Sequence, residues 1–169
     1  MKVTDKFVLF WSGPFSQWYN STIMIDGMEF NCNEQYMMYK KACVFGDHEQ
    51  AQRIMNTRNP REQKALGRCV DNFNEQVWKS CSRDIVFRAN HAKFTQNEEL
   101  CKLILTPEWF NKEFVEASPD DKIWGIGLDE NNELSYDKAT WQGTNWLGEA
   151  ITDVRDGILS YLLQLNEKV

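Results

Sequence analysis

Hydrophobic and polar positions along the chain follow two periods, one for strands and one for helices. Lys6–Trp11 is a short apolar, aromatic-rich run that reads as a strand, broken at Gly13-Pro14. Ser21–Phe30 alternates around Asp26-Gly27, with Ile23, Ile25, Met28 and Phe30 on either side, the pattern of a hairpin. Asn33 is the expected N-cap of a helix running to about Phe45. Gly46-Asp47 ends that helix and opens another, reaching about Met55. Asn59-Pro60 starts a third, with proline in the first turn, that closes near Gly67. A longer helix is expected from Asn74 to about Ala89, and a further one from Asn97 to Leu105, stopped by Thr106-Pro107. Phe114–Ala117 and Ile123–Leu128 are apolar runs between turn residues, hence strands, and Asp129–Asp137 is an acidic, Asn-rich loop. From Trp146 to about Leu165, the apolar residues Ile151, Val154, Ile158, Leu162 and Leu165 recur at steps of three and four, the mark of a C-terminal helix.

These elements predict an α+β fold, rich in helix with a small β-sheet. The length of 169 residues suits one domain over 1–169, with no repeat or linker to divide it. A hydrophobic fraction of 42% argues against a disordered chain, and the aromatic residues, at 13%, are expected mostly in the core, with the rest free to stack on bases or line a sugar pocket.

Charge narrows the function. The net charge of -6 argues against a protein that coats DNA through phosphate contacts. The charge is unevenly spread: Lys40–Arg68 holds seven basic residues against three acids, and Glu108–Asp156 twelve acids against four bases. A phosphate or pyrophosphate can still be met by the first of these stretches. The five cysteines are odd in number and contain no Cys-x-x-Cys, and His48 and His91 stand apart, so free thiols and no metal are expected. The N-terminus lacks the features of a signal peptide and no run of about 18 apolar residues exists, so a cytoplasmic protein without a membrane partner is expected, as a monomer or weak dimer.

Three segments carry candidate chemistry. In Asn33–Ala42, Glu34 and Lys41 lie seven residues apart, which on a helix returns them to one face about 10.5 Å along the axis. An acid and an amine can then look into one groove; an amphipathic helix with both groups solvated fits the same spacing. In Glu116–Leu128, Asp121 follows a Ser-Pro-Asp turn and precedes Trp124, so it is either a carboxylate beside an aromatic wall or a turn cap. Gly125 and Gly127 allow close approach of a ligand or of another stretch of backbone. In Trp141–Gly148, a loop enters a helix, where free backbone amides would hold phosphate and Asn145 would cap or bind ligand.

Taken in order, Glu34-Gln35-Tyr36 with Lys41-Ala42, Lys64-x-Leu66-Gly67-Arg68, Trp78, Lys93-Phe94, Glu116…Asp121-x-x-Trp124-Gly125, Gly143-x-Asn145-x-Leu147-Gly148 and Arg155 resemble the NADAR family. The resemblance runs from near Phe10-Trp11-Ser12 to Arg155. It implies an N-glycosidase that needs no cofactor. In this family one branch cleaves ribosylated riboflavin-pathway intermediates and another removes ADP-ribose from guanine. By the same resemblance Glu34, Lys41, Trp78, Asp121, Trp124 and Asn145 fall on pocket positions.

The expected mechanism assigns catalysis to Glu34, Lys41 and Asp121. Asp121 would stabilise positive charge at the anomeric carbon, and Glu34 would hold the ribose hydroxyls or act as base. Lys41, its pKa lowered by burial or by Arg68, would form a Schiff base with the opened sugar. Phe15, Trp78 and Trp124 would stack on the base. Arg68, Arg155 and the backbone at Thr144–Leu147, running on to Gly148, would take phosphates. The expected substrate is an ADP-ribosylated guanine, as a nucleoside or as a single-stranded or flipped DNA nucleotide, favoured by an open, aromatic-rich Phe10–Tyr19 segment. The alternatives are cleavage of riboflavin intermediates and a non-catalytic ADP-ribose or NAD-binding module. A zinc deaminase is excluded for want of its His/Cys ligands.

Overall fold

The computed structural model describes residues 1–166. Along the chain run β1 (Lys2–Val3), β2 (Phe7–Phe10), β3 (Ile23–Ile25), β4 (Met28–Phe30), α1 (Asn33–Val44), α2 (His48–Asn56), α3 (Pro60–Arg68), α4 (Glu75–Gln96), α5 (Glu98–Ile104), β5 (Glu113–Glu116) and α6 (Trp146–Asn166), with short 3-10 turns between them. The class is α+β and helix-rich, as the periodicity predicts. The described residues form two compact units, one of residues 1–16 with 97–166 and one of residues 17–96.

In the first unit, β1 pairs antiparallel to β2, and β2 pairs parallel to β5 in the register Phe7↔Glu113 to Phe10↔Glu116. All four residues of β2 are buried, which fits a strand covered on both faces. Phe7 and Leu9 point to one side and join Val115, Ala117, Ile126 and Leu128 in a core edged by Tyr136 and Trp141. On the other side Phe10, Phe15, Trp109 and Phe114 form an aromatic cluster with ring centroids 4.8–6.1 Å apart. Helix α6 packs on β5 and supplies Thr152, whose hydroxyl accepts from the Phe114 amide at 3.0 Å.

In the second unit α1 packs against α2, α3 and α4. Each of two short helices begins at the cap the sequence predicts: Asp47 accepts from the Gln50 amide, and Asn59 from that of Arg61. The hairpin β3–β4 turns at Asp26 (φ 54°) and Gly27 (φ 78°), two positive values in succession that glycine and aspartate tolerate best.

Three expectations are corrected, and one element is added. Ile123–Leu128 is not a strand. The carbonyls of Lys122, Ile123, Trp124, Gly125 and Ile126 accept instead from the amides of Thr144, Trp146, Leu147, Asn145 and Gln142 at 2.9–3.3 Å, so the two loops are laced together. Asn33 does not cap α1; Cys32 holds that position without a side-chain bond, and Asn33 is the first helical residue, turned into the buried interior. Helix α4 continues past Ala89 to Gln96, because Asn90, Lys93 and Phe94 extend its buried face through letters that read as polar. The two-residue strand β1 is too short to leave a periodic signal.

Candidate functional site

In the second unit the first turn of α1 carries Glu34, which is buried to 4% exposure, and its amide donates to the Gln17 carbonyl at 3.0 Å. The electrostatics around Cys32 locate its neighbours. This thiol is pushed up to about 11, chiefly by burial and also by the Glu34 carboxylate, against the backbone amides of Gln35 and Glu34 and the Lys93 amine, which lower it. A carboxylate and an amine therefore both act on the start of α1.

Lys93, on α4, is fully buried, and desolvation pulls its amine down to about 7. Its Nζ lies 5.4 Å from the ring centres of Tyr19 and Phe94. Lys93 entered the sequence reading only as part of the resemblance. The signal that would have singled it out is helical spacing: Val86, Ala89, Asn90 and Lys93 recur at steps of three and one along one buried face. A lysine on that face is an ionisable group held out of water.

Lys41 is half-buried. Its Nζ donates to the Gly67 carbonyl at 2.8 Å and sits 4.3 Å from the Phe73 ring centre and 5.9 Å from that of Trp78. Burial lowers its pKa first, then the nearby Arg68; Glu34 acts in the opposite sense. The structure thus brings Lys41 together with Trp78 and within the electrostatic reach of Glu34 and Arg68. Arg68 itself is exposed at the end of α3. Exposed Trp18 has Lys64 over its ring at 5.8 Å. Aromatic faces paired with amines thus recur three times in this unit, at Trp18, Tyr19 and Phe73–Trp78.

The first unit uses its expected site residues differently. Asp121 Oδ1 accepts from the amides of Ile123 and Trp124 at 2.9 and 2.8 Å, the bonding of a turn cap. Trp124 is partly exposed and packs edge-on to Trp146. The amides of Thr144, Asn145, Trp146 and Leu147 are spent on the 122–125 carbonyls, so these four are not available to the expected phosphate site at the start of α6. Asn145, buried and at φ 56°, bridges β5 to that loop: its Oδ1 accepts from the Glu116 amide and its Nδ2 donates to the Phe114 carbonyl. Gly148 is required beside it, because a Cβ there would overlap both the Phe114 carbonyl and the Asn145 side chain. At Gly125 a Cβ would press on the carbonyls of Glu116 and Asp121.

Arg155 does not offer its guanidinium to a phosphate. Buried at 3% exposure, it donates to the carbonyls of Trp109 and Lys112 at 2.7 and 2.5 Å and pairs with Asp156 at 2.8 Å. Phe15, expected to stack on a base, is a core residue at 1% exposure. The aromatic segment 10–19 is therefore only partly open: Phe10 and Phe15 are buried, and Trp11, Trp18 and Tyr19 are exposed. Among the described residues no helix is long and apolar enough to cross a membrane, and no group of three His, Cys, Asp or Glu residues could hold a metal ion.

Comparison with known proteins fits this arrangement. Protein irg-1 of Caenorhabditis elegans is 44% identical over 131 residues, covering 76% of this chain and 61% of that protein's length. N-glycosidase R617 of Acanthamoeba polyphaga mimivirus is 40% identical over 166 residues, covering 90% of this chain and 96% of the relative. The NMR structure of Escherichia coli YbiA shares the fold, with a TM-score of 0.77 and 24% identity over 96% of this chain and 90% of that one. The NADAR domain model matches residues 9–159, and the chain belongs to the NADAR family.

Proposed function

We propose that this chain is an N-glycosidase that hydrolyses the bond between a ribose and a base nitrogen, with ADP-ribosylated guanine as its substrate. The observation that carries the reading is Lys93, a fully buried amine with a pKa of about 7, which acts with the buried Glu34 on the same turn of α1. The name N-glycosidase borne by R617, a relative covered over nearly its whole length, supports the reaction class.

An amine with a pKa near 7 is substantially neutral at neutral pH and so nucleophilic. The lone pair on Lys93 Nζ bonds to the anomeric carbon, the carbon–nitrogen bond to the base breaks, and the base departs with a proton. The sugar, held as an imine once its ring opens, is released by one water, which restores the amine. Glu34 is the group suited to carry the proton to the base and later to take one from the water. Lys41, expected to be the nucleophile, is better suited to hold an anion: its ammonium is already bonded to the Gly67 carbonyl and stacked on Phe73. The exposed pairs Trp18–Lys64 and Phe73–Lys41 support a substrate with both a flat base and phosphates. Asp121 is left as a turn cap, and Arg68, near Lys41, as a contact for the far part of the substrate.

The test is a turnover assay on an oligonucleotide bearing ADP-ribosylated guanine and, separately, on a ribosylamino-pyrimidine phosphate, with borohydride added to trap any imine. Release of ADP-ribose and a trapped adduct on Lys93 is the expected result. Release of ribose 5-phosphate alone transfers the enzyme to riboflavin intermediates. Turnover without an adduct removes the covalent step, and no turnover of either substrate leaves an ADP-ribose-binding module.

A further inference from the structure

Three buried amides join the elements that carry Glu34 and Lys93. Asn33 Nδ2 donates to Gln17 Oε1 at 3.1 Å and to Asn90 Oδ1 at 3.0 Å. Asn90 Nδ2 donates in turn to Gln17 Oε1 at 3.1 Å and to the Val86 carbonyl at 2.9 Å, which fixes which way each amide faces. Asn33 is the residue before Glu34, Asn90 lies three residues before Lys93 on α4, and Gln17 receives the Glu34 amide on its own carbonyl. All three side chains are at least nine-tenths buried.

The network is incomplete. Gln17 Nε2 and Asn33 Oδ1, a donor and an acceptor, are buried without a hydrogen-bond partner. Buried polar atoms left unmade are costly, and apolar side chains of the same volume would join these elements without that cost. A purely packing role does not account for amides here. What amides supply is directional bonding, which sets distances and orientations that apolar contacts leave soft.

We propose that Gln17, Asn33 and Asn90 are positioning residues that clamp the first turn of α1 to the turn of α4 next to Lys93, fixing the Glu34 carboxylate and the Lys93 amine relative to each other. The clamp matters for catalysis only if the N-glycosidase reading holds, but its effect on Lys93 does not depend on that reading. Cys32 at the start of α1 acts on the amine, Glu34 beside it acts on Cys32, and the Tyr19 and Phe94 rings lie 5.4 Å from the amine.

The test replaces amide by apolar volume. Gln17→Met removes one member and keeps its size; Asn90→Leu, made separately, removes another. Lysine side-chain NMR then follows the titration of Lys93 in each folded variant, with no substrate present, and steady-state kinetics follow kcat and KM. The expected result is a titration midpoint displaced from its wild-type value, with kcat lowered about 10- to 100-fold and KM nearly unchanged. If Gln17→Met or Asn90→Leu folds, leaves the midpoint where it is in the wild type and alters only thermal stability, the network is packing and the proposal is wrong. A wild type that titrates as described but turns over no N-glycoside would overturn the proposed function and leave the clamp to be judged by the shift in midpoint alone.

Discussion

The second unit and the first treat their share of the family pattern in opposite ways. Around α1 and α4, ionisable groups are taken out of water and kept: Glu34 at 4% exposure, Lys93 with none, and three amides with two orphaned atoms between them. Around the start of α6, three polar side chains that the resemblance picks out are engaged by backbone groups. Asp121 caps a turn, Asn145 ties a loop to β5, and Arg155 closes over two carbonyls. Residues grouped by one sequence pattern thus divide into ionisable groups held out of water and groups that hold a loop in shape. Bonding, more than residue type, separates the two.

The sharpest test of this contrast is Lys93→Met, which keeps the volume and removes the amine. Activity is expected to fall by about a thousandfold or more, measured as kcat/KM. The same variant has a stability signature. The folded amine titrates at about 7, below its usual 10.5. Below pH 7 both states hold the proton and the penalty of burying charge is present in full. Between pH 7 and 10.5 the unfolded chain binds a proton that the folded one has lost, so stability rises with pH across this window. Denaturant titrations at pH 6.5 and 9.5 should show that rise in the wild type and lose it in Lys93→Met. An equal slope in both would mean that the amine is not held as described.

Glu34→Gln comes next, with an expected loss of about 100- to 1,000-fold in kcat and little change in fold. A loss confined to KM would make Glu34 a binding group only. Arg155→Leu should act the other way: it strands the carbonyls of Trp109 and Lys112, lowering stability by about 2–4 kcal/mol in urea unfolding, with KM for a phosphate-bearing substrate unchanged. A KM raised severalfold in the folded variant would restore Arg155 to the phosphate site. The smallest effect is assigned to Asp121→Ala, about 1 kcal/mol of stability from a lost turn cap and less than a tenfold change in kcat. A fall of 100-fold or more would erase the division between the two units.

The helical elements and the hairpin were legible in the sequence because their signals are local. Asp47 and Asn59 announce helix starts, and Asp26-Gly27 fixes its turn. What was missed depends on partners distant in the chain. Ile123–Leu128 has the composition of a strand, but its carbonyls are claimed by a loop twenty residues on. Lys93 and Asn90 look like surface letters until the buried face of α4 is followed through them. Arg155 and Asn145 are residue types that bind phosphate or ligand elsewhere, and only their bonds reveal that they are already engaged.

The parallel pairing of Phe7–Phe10 with Glu113–Glu116 also sets an order of events during synthesis. The first of these strands leaves the ribosome more than a hundred residues before its parallel partner does, and that edge must wait for Glu113–Glu116. Residues 17–96, by contrast, have their hairpin and all four of their helices available once Gln96 has emerged. The half of the molecule with Glu34 and Lys93 can therefore settle first, and the sheet closes last, paying its loop-closure entropy across a segment that is already shortened by folding. A nascent chain arrested after Gln96 would thus already contain the buried amine, with Phe7–Phe10 still lacking its parallel partner.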